Sequence, residues 1–376
     1  MASARSTGAA QETIDGEEET RSRMVKRRRK GKKKKGSAIA RFFLYAFLLA
    51  FVAAGAAGCA IGWWVLIPYG PTAETFVNIP SGTSAIAMGS QLESAGIIRS
   101  QYAFYLLRRF RKGTLRAGTY RFDHPAPLTE VYNRIAQGDV YTISLTVPEG
   151  ANIFDIAARA EQLHLGTRED FLTAAEDPTV VRDLIGDLDT NAVSLEGYLF
   201  PATYRFAPTA TAQQMIAAMV QRFRAAAAQL GINQNLHHTV TIASLIERET
   251  AVDSERPLVA SVFENRLDKR MPLMTDPAVI YGLEREGVWR GTIYASDLKR
   301  DTPYNTYVHS GLPPGPIANP GIPSLRAAMR PAQSNYLYFV AAGGDPQGHS
   351  VFSETLEGHT RNVAGYRKAV KRAGKR

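Results

Sequence analysis

Two glutamates stand two residues apart in Thr241-Ile242-Ala243-Ser244-Leu245-Ile246-Glu247-Arg248-Glu249-Thr250. Ile242, Leu245 and Ile246 fall at i, i+3 and i+4, which makes one helical stripe facing a protein interior. The next position on that stripe, i+7, is Glu249. Glu247 points to the other side of the helix, where pairing with solvent is expected. A carboxyl set where an apolar residue belongs keeps its proton nearer neutral pH, because desolvation disfavours the charged form. That is the state a general acid needs to protonate a leaving oxygen. The same placement also suits a structural Glu at a helix end, satisfied by Arg256 or Arg266.

Further chemistry-bearing residues follow Glu249 in the chain. Met274-Thr275-Asp276-Pro277-Ala278-Val279-Ile280-Tyr281 sets a carboxylate at a Pro-stiffened turn. Thr302-Pro303-Tyr304-Asn305-Thr306-Tyr307 packs hydroxyls, an amide and two aromatic rings into six residues. Gly311 to Gly321 is a rigid loop rich in Pro and poor in donors. Aromatic faces beside amides and hydroxyls suit sugars, whose faces are apolar and whose edges are polar. A metal centre is not expected, because His349 and His359 share no ligand-like spacing.

The elements that must position these groups read as α+β. Met215, Ile216, Met219, Val220, Phe223 and Leu230 mark one amphipathic helix. Leu258, Val259, Val262, Phe263 and Leu267 mark another, opened by Asp253-Ser254-Glu255. Tyr336 to Val340 and His349 to Phe352 flank a Gly-rich loop and read as a hairpin. Upstream, Phe76-Val77-Asn78-Ile79-Pro80-Ser81-Gly82 is echoed by Ser144-Leu145-Thr146-Val147-Pro148-Glu149-Gly150, each a β-rich run, a turn and then a helical pattern. A strand over 115–122 and a helix over 128–136 close the first of these modules. Its strand–helix–helix–strand shape is similar to the LysM-like modules that bind glycan chains.

Residues 42–67 hold no charge over 26 positions and follow the basic run Lys26 to Gly36. At about 1.5 Å per residue this run crosses a bilayer core with some tilt. The basic cluster predicts a cytoplasmic N-terminus and an extracytoplasmic remainder, anchored in the cell (inner) membrane by a single pass. Its length and its start after 41 residues argue against a cleaved leader, and Trp63, Trp64 and Tyr69 sit where interface anchors belong. The net charge of +10 is concentrated there: residues 1–41 carry 13 Lys and Arg against 5 Asp and Glu, leaving 32 against 30 in the rest. The basicity is therefore a topology and lipid-headgroup signal, and no nucleic-acid partner is expected. Cys59, the one cysteine, lies inside the apolar run, so the exported part has no disulfide or thiol chemistry. The expected domains are a disordered basic tail (1–41), a transmembrane helix (42–67), a LysM-like module (72–142) and a catalytic domain (143–376).

These residues resemble a family, the endolytic murein transglycosylases, also called YceG-like proteins. The matching stretches are Glu196-Gly197-Tyr198-Leu199-Phe200-Pro201, Ala243 to Thr250, Val259 to Phe263, Asp276-Pro277 with Val279-Ile280-Tyr281, Tyr304-Asn305-Thr306-Tyr307, the Gly311 to Gly321 loop, and Tyr336 to Val340 with His349 and Phe352. Ala202 and Ala278 depart from the family pattern. The resemblance implies a peptidoglycan lytic transglycosylase that needs no cofactor, with the second Glu of the E-x-E-T motif, Glu249, as general acid and base. It implies Glu196, Tyr198, Asp276, Tyr304, Asn305 and Tyr307 as substrate-binding or orienting groups. The implied partners are peptidoglycan glycan strands, the cytoplasmic membrane and, as candidates, peptidoglycan synthases. Two other readings stand beside it: a conventional glycoside hydrolase using Glu249 with Asp276, and a non-enzymatic, membrane-tethered glycan-binding scaffold.

Overall fold

The computed structural model describes residues 35–111, 113–232, 234–342 and 349–373. The tail expected to be disordered, most of the basic run and the Gly-rich tip of the hairpin lie outside the described residues. The chain forms two compact units, 1–140 and 141–376, and its class is mixed α+β.

The first unit opens with helix α1 (Lys35–Leu66), whose stretch Ile39–Leu66 is long and apolar enough to cross a membrane. Strand β1 (Thr75–Ile79) follows, then α2 (Ala85–Ser94), α3 (Gln101–Phe110), β2 (Gly118–Phe122) and α4 (Leu128–Gln137). β1 and β2 pair antiparallel, Thr75 opposite Phe122 and Ile79 opposite Gly118. The strand period of two sends Val77 and Ile79 inward, where they meet Leu92, Phe104, Tyr120 and Ile135 in a small core. Ser84 accepts from the Ala87 N–H to start α2, and Gly138, with φ of 72°, ends α4 in the left-handed conformation.

The second unit repeats the opening. β3 (Ile143–Val147) leads through Gly150 (φ 78°) into α5 (Ile153–Gln162), started by a capping box between Asn152 and Asp155. α6 (Arg168–Glu176) and α7 (Pro178–Ile185) intervene before β4 (Ala202–Phe206) returns antiparallel to β3, Ile143 opposite Phe206. Five further helices share one hydrophobic core with this pair: α8 (Ala212–Leu230), α9 (Leu236–Glu249), α10 (Arg256–Asp268), α11 (Asp276–Arg285) and α12 (Ile322–Met329). The chain ends in a hairpin of β5 (Tyr338–Ala341) and β6 (Ser350–Ser353), followed by α13 (Leu356–Ala373).

α9 is the central helix of this unit. Leu236 and every residue from Thr239 to Ile246 are buried, and α12 packs along it. Two knots fix the loops around it. Asn319 donates from Nδ2 to Glu196 Oε1 (2.9 Å) and to the Ala151 carbonyl (2.9 Å), and its Oδ1 accepts from the Leu199 N–H (2.8 Å). Gly197 sits at φ +87°, and a Cβ there would come within 2.6 Å of Pro316 and 2.7 Å of Val240. Only glycine lets the 311–321 loop close against α9 at that point.

Candidate active site

α9 ends in the wall of an open cleft, and Glu249 is its last helical residue. The cleft, of ≈ 410 Å³, is lined by Glu249, Arg266, Asp276, Tyr307, Tyr338 and His359, with Phe263, Leu273 and Phe339 among its apolar neighbours. Four segments converge there: the end of α9, the inner face of α10, the start of α11 with the loop leading to Tyr307, and the β5 strand beside α13.

Glu249 is partly buried, and its pKa is pushed up to about 7. Burial is the main cause and the nearby Asp276 carboxylate adds to it, while Arg266 and Arg248 pull the other way. The carboxyl makes no hydrogen bond among the described residues. It is therefore held by packing, with its proton free to be given to a ligand. A helix C-terminus points in the same direction, since its carbonyl ends disfavour an anion.

Asp276 opens α11 behind the Thr275 cap and ahead of Pro277. Its Oδ1 accepts from the Tyr307 hydroxyl at 2.7 Å. Two hydrogen bonds hold these segments together: the Thr275 N–H donates to Thr306 Oγ1 (2.9 Å), and the Met274 N–H donates to the Thr306 carbonyl (3.1 Å). Tyr307 has its pKa raised by burial and by the Asp276 hydrogen bond, so it stays a donor.

The other residues expected at the sugar are buried away from the cleft. Glu196 is fully buried, accepting from the Ile153 N–H (2.9 Å) and from Asn319, and burial raises its pKa to about 8. Tyr198 is fully buried against Phe223 and donates to Asp189. Tyr304 stacks edge-on with Tyr281 at 4.9 Å. Asn305 is fully buried and uses its amide to fold its own loop, donating to the Arg300 carbonyl (2.7 Å) and accepting from the Tyr307 N–H (2.9 Å). None of these four lines the cleft around Glu249. Glu196 and Asn305 serve the closely packed loop backbone around them, which needs buried polar partners.

Glu247 corrects a second expectation. Its side chain is 6 % exposed and does not meet solvent. Oε1 accepts from Arg256 Nη1 at 3.1 Å, and Oε2 accepts from the Gly321 N–H at 2.9 Å. Arg256 also donates to Ser324 Oγ and to Asp253 (3.0 Å). Since α12 covers the far side of α9, the face opposite the apolar stripe is interior too.

Three further cleft residues come from separate elements, and only packing brings them together. Arg266 donates from Nε to the Leu337 carbonyl (2.7 Å) and from Nη1 to the Leu273 carbonyl (2.8 Å), which ties the hairpin to the loop before α11. Its guanidinium lies 5.2 Å from the centre of the Tyr338 ring. His359 stacks on the same ring at 5.1 Å, and its Nδ1 is buried with no partner among the described residues. Burial and Arg266 depress the His359 pKa, which favours a neutral imidazole. Among the described residues no cluster of three or more His, Cys, Asp or Glu stands together as a metal site would require.

A mixed α+β unit with one proton-holding carboxyl in an aromatic, polar cleft fits carbohydrate chemistry, and comparison with known proteins is specific. The YceG-like family model matches residues 77–365, so the chain belongs to the YceG-like family. It is similar to a Bacillus subtilis protein named endolytic murein transglycosylase, 36 % identical over 303 residues, covering 76 % of this chain and 82 % of that one. It is also similar to the Streptococcus pneumoniae (D39) protein of the same name, 30 % identical over 358 residues, covering 86 % of this chain and 64 % of the relative. A 2.6 Å crystal structure of a YceG-like protein from Listeria monocytogenes superposes with a TM-score of 0.53 at 34 % identity, covering 77 % of this chain and 99 % of that one.

Proposed function

We propose that this protein is an endolytic lytic transglycosylase of peptidoglycan, a lyase that cuts between N-acetylmuramic acid and N-acetylglucosamine. The observation that carries the reading is the Glu249 carboxyl, its pKa raised to about 7, unbonded, in a cleft with aromatic and hydroxyl groups. The names of the relatives support the substrate.

In this mechanism protonated Glu249 gives its proton to the glycosidic oxygen, and the bond from that oxygen to the muramic C1 breaks as oxocarbenium character develops. Glu249, now a carboxylate, takes the proton of the sugar's own 6-hydroxyl. O6 then bonds to C1 and closes a 1,6-anhydro ring. No water is consumed and Glu249 ends protonated, ready for another turn. One acid/base carboxyl suffices, where hydrolases use a pair. After burial, the neighbouring Asp276 carboxyl, which accepts from Tyr307, adds to the preference of Glu249 for its protonated form.

α1 is read as a single-pass anchor with its N-terminus in the cytoplasm, and the strand–helix–helix–strand order of the first unit as a LysM-like glycan-binding module. An anchored cutter meets strands as they emerge at the membrane, so its product is the end of a nascent strand, and peptidoglycan synthases are its natural neighbours.

The test is digestion of purified glycan strands with the detergent-solubilised protein and with Glu249→Gln, followed by mass spectrometry of the new ends. Anhydro ends from the wild type and none from the variant are expected. Ends that have gained water would replace this mechanism with hydrolysis by Glu249 and Asp276, which line one cleft. No cleavage by the wild type would leave a glycan-binding scaffold.

A further inference from the structure

Helix α3 carries two apolar faces where a surface helix of a folded unit needs one. Phe104 is buried in the core of the first unit, with Ala103 and Leu107 packed at its edge. On the outward side Tyr102, Leu106 and Phe110, at i, i+4 and i+8, are 75 %, 41 % and 77 % exposed. Burial in the unit's own core explains the first face and leaves the second unexplained.

The second face is continuous with the end of α1. Ile61, Trp64 and Val65 of α1 form one apolar groove with Tyr102, Leu106 and Phe110 of α3. The two helices are clamped there. Arg99, just before α3, donates from Nη1 to the Ile67 carbonyl (3.2 Å) and from Nη2 to the Pro68 carbonyl (3.4 Å), and lies over the Tyr69 ring. Tyr69 and Ala126 exchange backbone hydrogen bonds of 3.1 Å. The exposed face of α3 is therefore held beside the last turns of the helix that would leave the bilayer.

Charge points the same way. Between Gln101 and Phe122 the sequence has six Lys and Arg and no Asp or Glu. Arg109 falls within the outward face, flanked on the helix surface by Tyr105 and Tyr102. Tyrosines and an arginine around an apolar strip match the boundary of a bilayer, where stems enter the acyl region and polar tips stay with the headgroups.

We propose that α3 docks in the outer interface of the bilayer that α1 spans, seating the first unit on the lipid surface. The proposal rests on the reading of α1 as a spanning helix. Its consequence is that this unit rides on the membrane at a fixed attitude instead of swinging on a loose tether. The occupant of the groove is lipid: its walls continue the lipid-facing surface of α1, and Arg109 beside it can reach lipid phosphates while its stem stays with the apolar strip.

The experiment uses the full-length chain with Cys59→Ala, so that a single new cysteine carries a bimane label. One protein has Phe110→Cys and a second has Ser81→Cys, an exposed residue in the turn at the far end of the β1–β2 pair from the Tyr69–Ala126 bridge. Both are reconstituted in vesicles of phosphatidylethanolamine and phosphatidylglycerol containing lipids with a doxyl group high on the acyl chain. Quenching at 110 about threefold stronger than at 81 is expected for a helix lodged at the acyl boundary. Equal quenching, with both labels open to aqueous iodide, overturns the docking and leaves the face to a protein partner. The unmutated chain labelled at Cys59 and probed with mid-chain doxyl lipid separates the two readings. A quenched 59 with an aqueous 110 removes the docking alone, and an unquenched 59 removes the span and the docking with it.

Discussion

The Tyr307 hydroxyl donates to Asp276 Oδ1 at 2.7 Å, and the carboxylate so held is the second cause, after burial, of the raised Glu249 pKa. Two acidic groups thus share a cleft with divided roles, one bonded to Tyr307, one unbonded and with its pKa raised to about 7. Activity that needs the Glu249 proton falls as pH rises through about 7. Asp276→Asn removes a negative charge that favours the protonated form, so the Glu249 pKa drops and the alkaline limb moves to lower pH. The expected shift is about half to one unit, read from kcat/KM for strand cleavage across pH. A collapse of kcat at every pH, with no shift, would instead make Asp276 a reacting group.

Glu249 should also weaken the fold above neutrality. Its native pKa of about 7 exceeds the ordinary 4.5, so the native state holds a proton that the unfolded chain has released. Stability is therefore unaffected below pH 4.5, declines as pH rises toward 7, and stays reduced above it. Glu249→Gln, which cannot ionise, should raise stability by about 1–3 kcal/mol at pH 8.5 and leave it unchanged near pH 4. Thermal melts of the two proteins at both pH values check this. A variant less stable than wild type at pH 8.5 would show that the carboxylate has partners in solution that offset its burial.

The glutamate two residues earlier behaves oppositely. Glu247 neutralises Arg256 inside the protein and holds the Gly321 N–H, so Glu247→Gln leaves a buried guanidinium short of its counter-charge. A loss of about 2–4 kcal/mol is expected, with the folded fraction still cutting glycan at a near-normal rate. Lost turnover with unchanged melting would mean that Glu247 acts in the chemistry.

The contrast between these glutamates shows how far the sequence could be read. The Ile242–Leu245–Ile246 stripe is a period-3.6 signal, and the helix buries it and carries Glu249 to the cleft. Periodicity says which residues share a face, but not how many faces are covered. α9 is covered on both sides, so Glu247 is interior too. The resemblance offers Glu196 and Asn305 as groups that hold the sugar or orient Glu249; in the structure both are fully buried and bond to backbone, Glu196 to the Ile153 N–H and Asn305 to the Arg300 carbonyl. Arg266, Tyr338 and His359 reach the cleft from α10, β5 and α13. Arg266 is legible as a partner for Glu249 and Tyr338 as part of a matching strand, but that the two meet His359 at one cleft is a product of tertiary packing. The strands before Gly82 and Gly150 were legible because alternation and turn glycines are local features, whereas the second apolar face of α3 emerges only once its first is seen buried.

Gly197 tests how the 311–321 loop packs on α9, away from the cleft. Its φ of +87° and the 2.6 Å approach of Pro316 leave no room for a methyl group, and proline cannot rotate aside. Gly197→Ala should cost about 2–4 kcal/mol through strain and overpacking. Melting of the variant gives the number, and a neutral result would show that the 311–321 loop moves freely against α9.

The final prediction concerns reach. If the anchor sets where strands are cut, lengthening it should change glycan strand lengths in cells while leaving cleavage in the test tube unaltered. The position of the insertion matters, because Tyr69 is already bonded to Ala126 within the first unit. A flexible Gly/Ser segment inserted after Pro71 loops out beyond that bridge and adds no height. The same segment after Ile67 lies between α1 and the bridge and interrupts the Arg99 hold on Ile67 and Pro68. Combined with Tyr102→Ser, Leu106→Ser and Phe110→Ser, which release α3 from the lipid, it adds its full reach, about 5–6 Å times the square root of its length. Strand-length profiles should therefore shift for the insertion after Ile67 and stay at wild type for the one after Pro71. Identical profiles for both, at matched expression and localisation, would show that the anchor does not measure distance from the membrane.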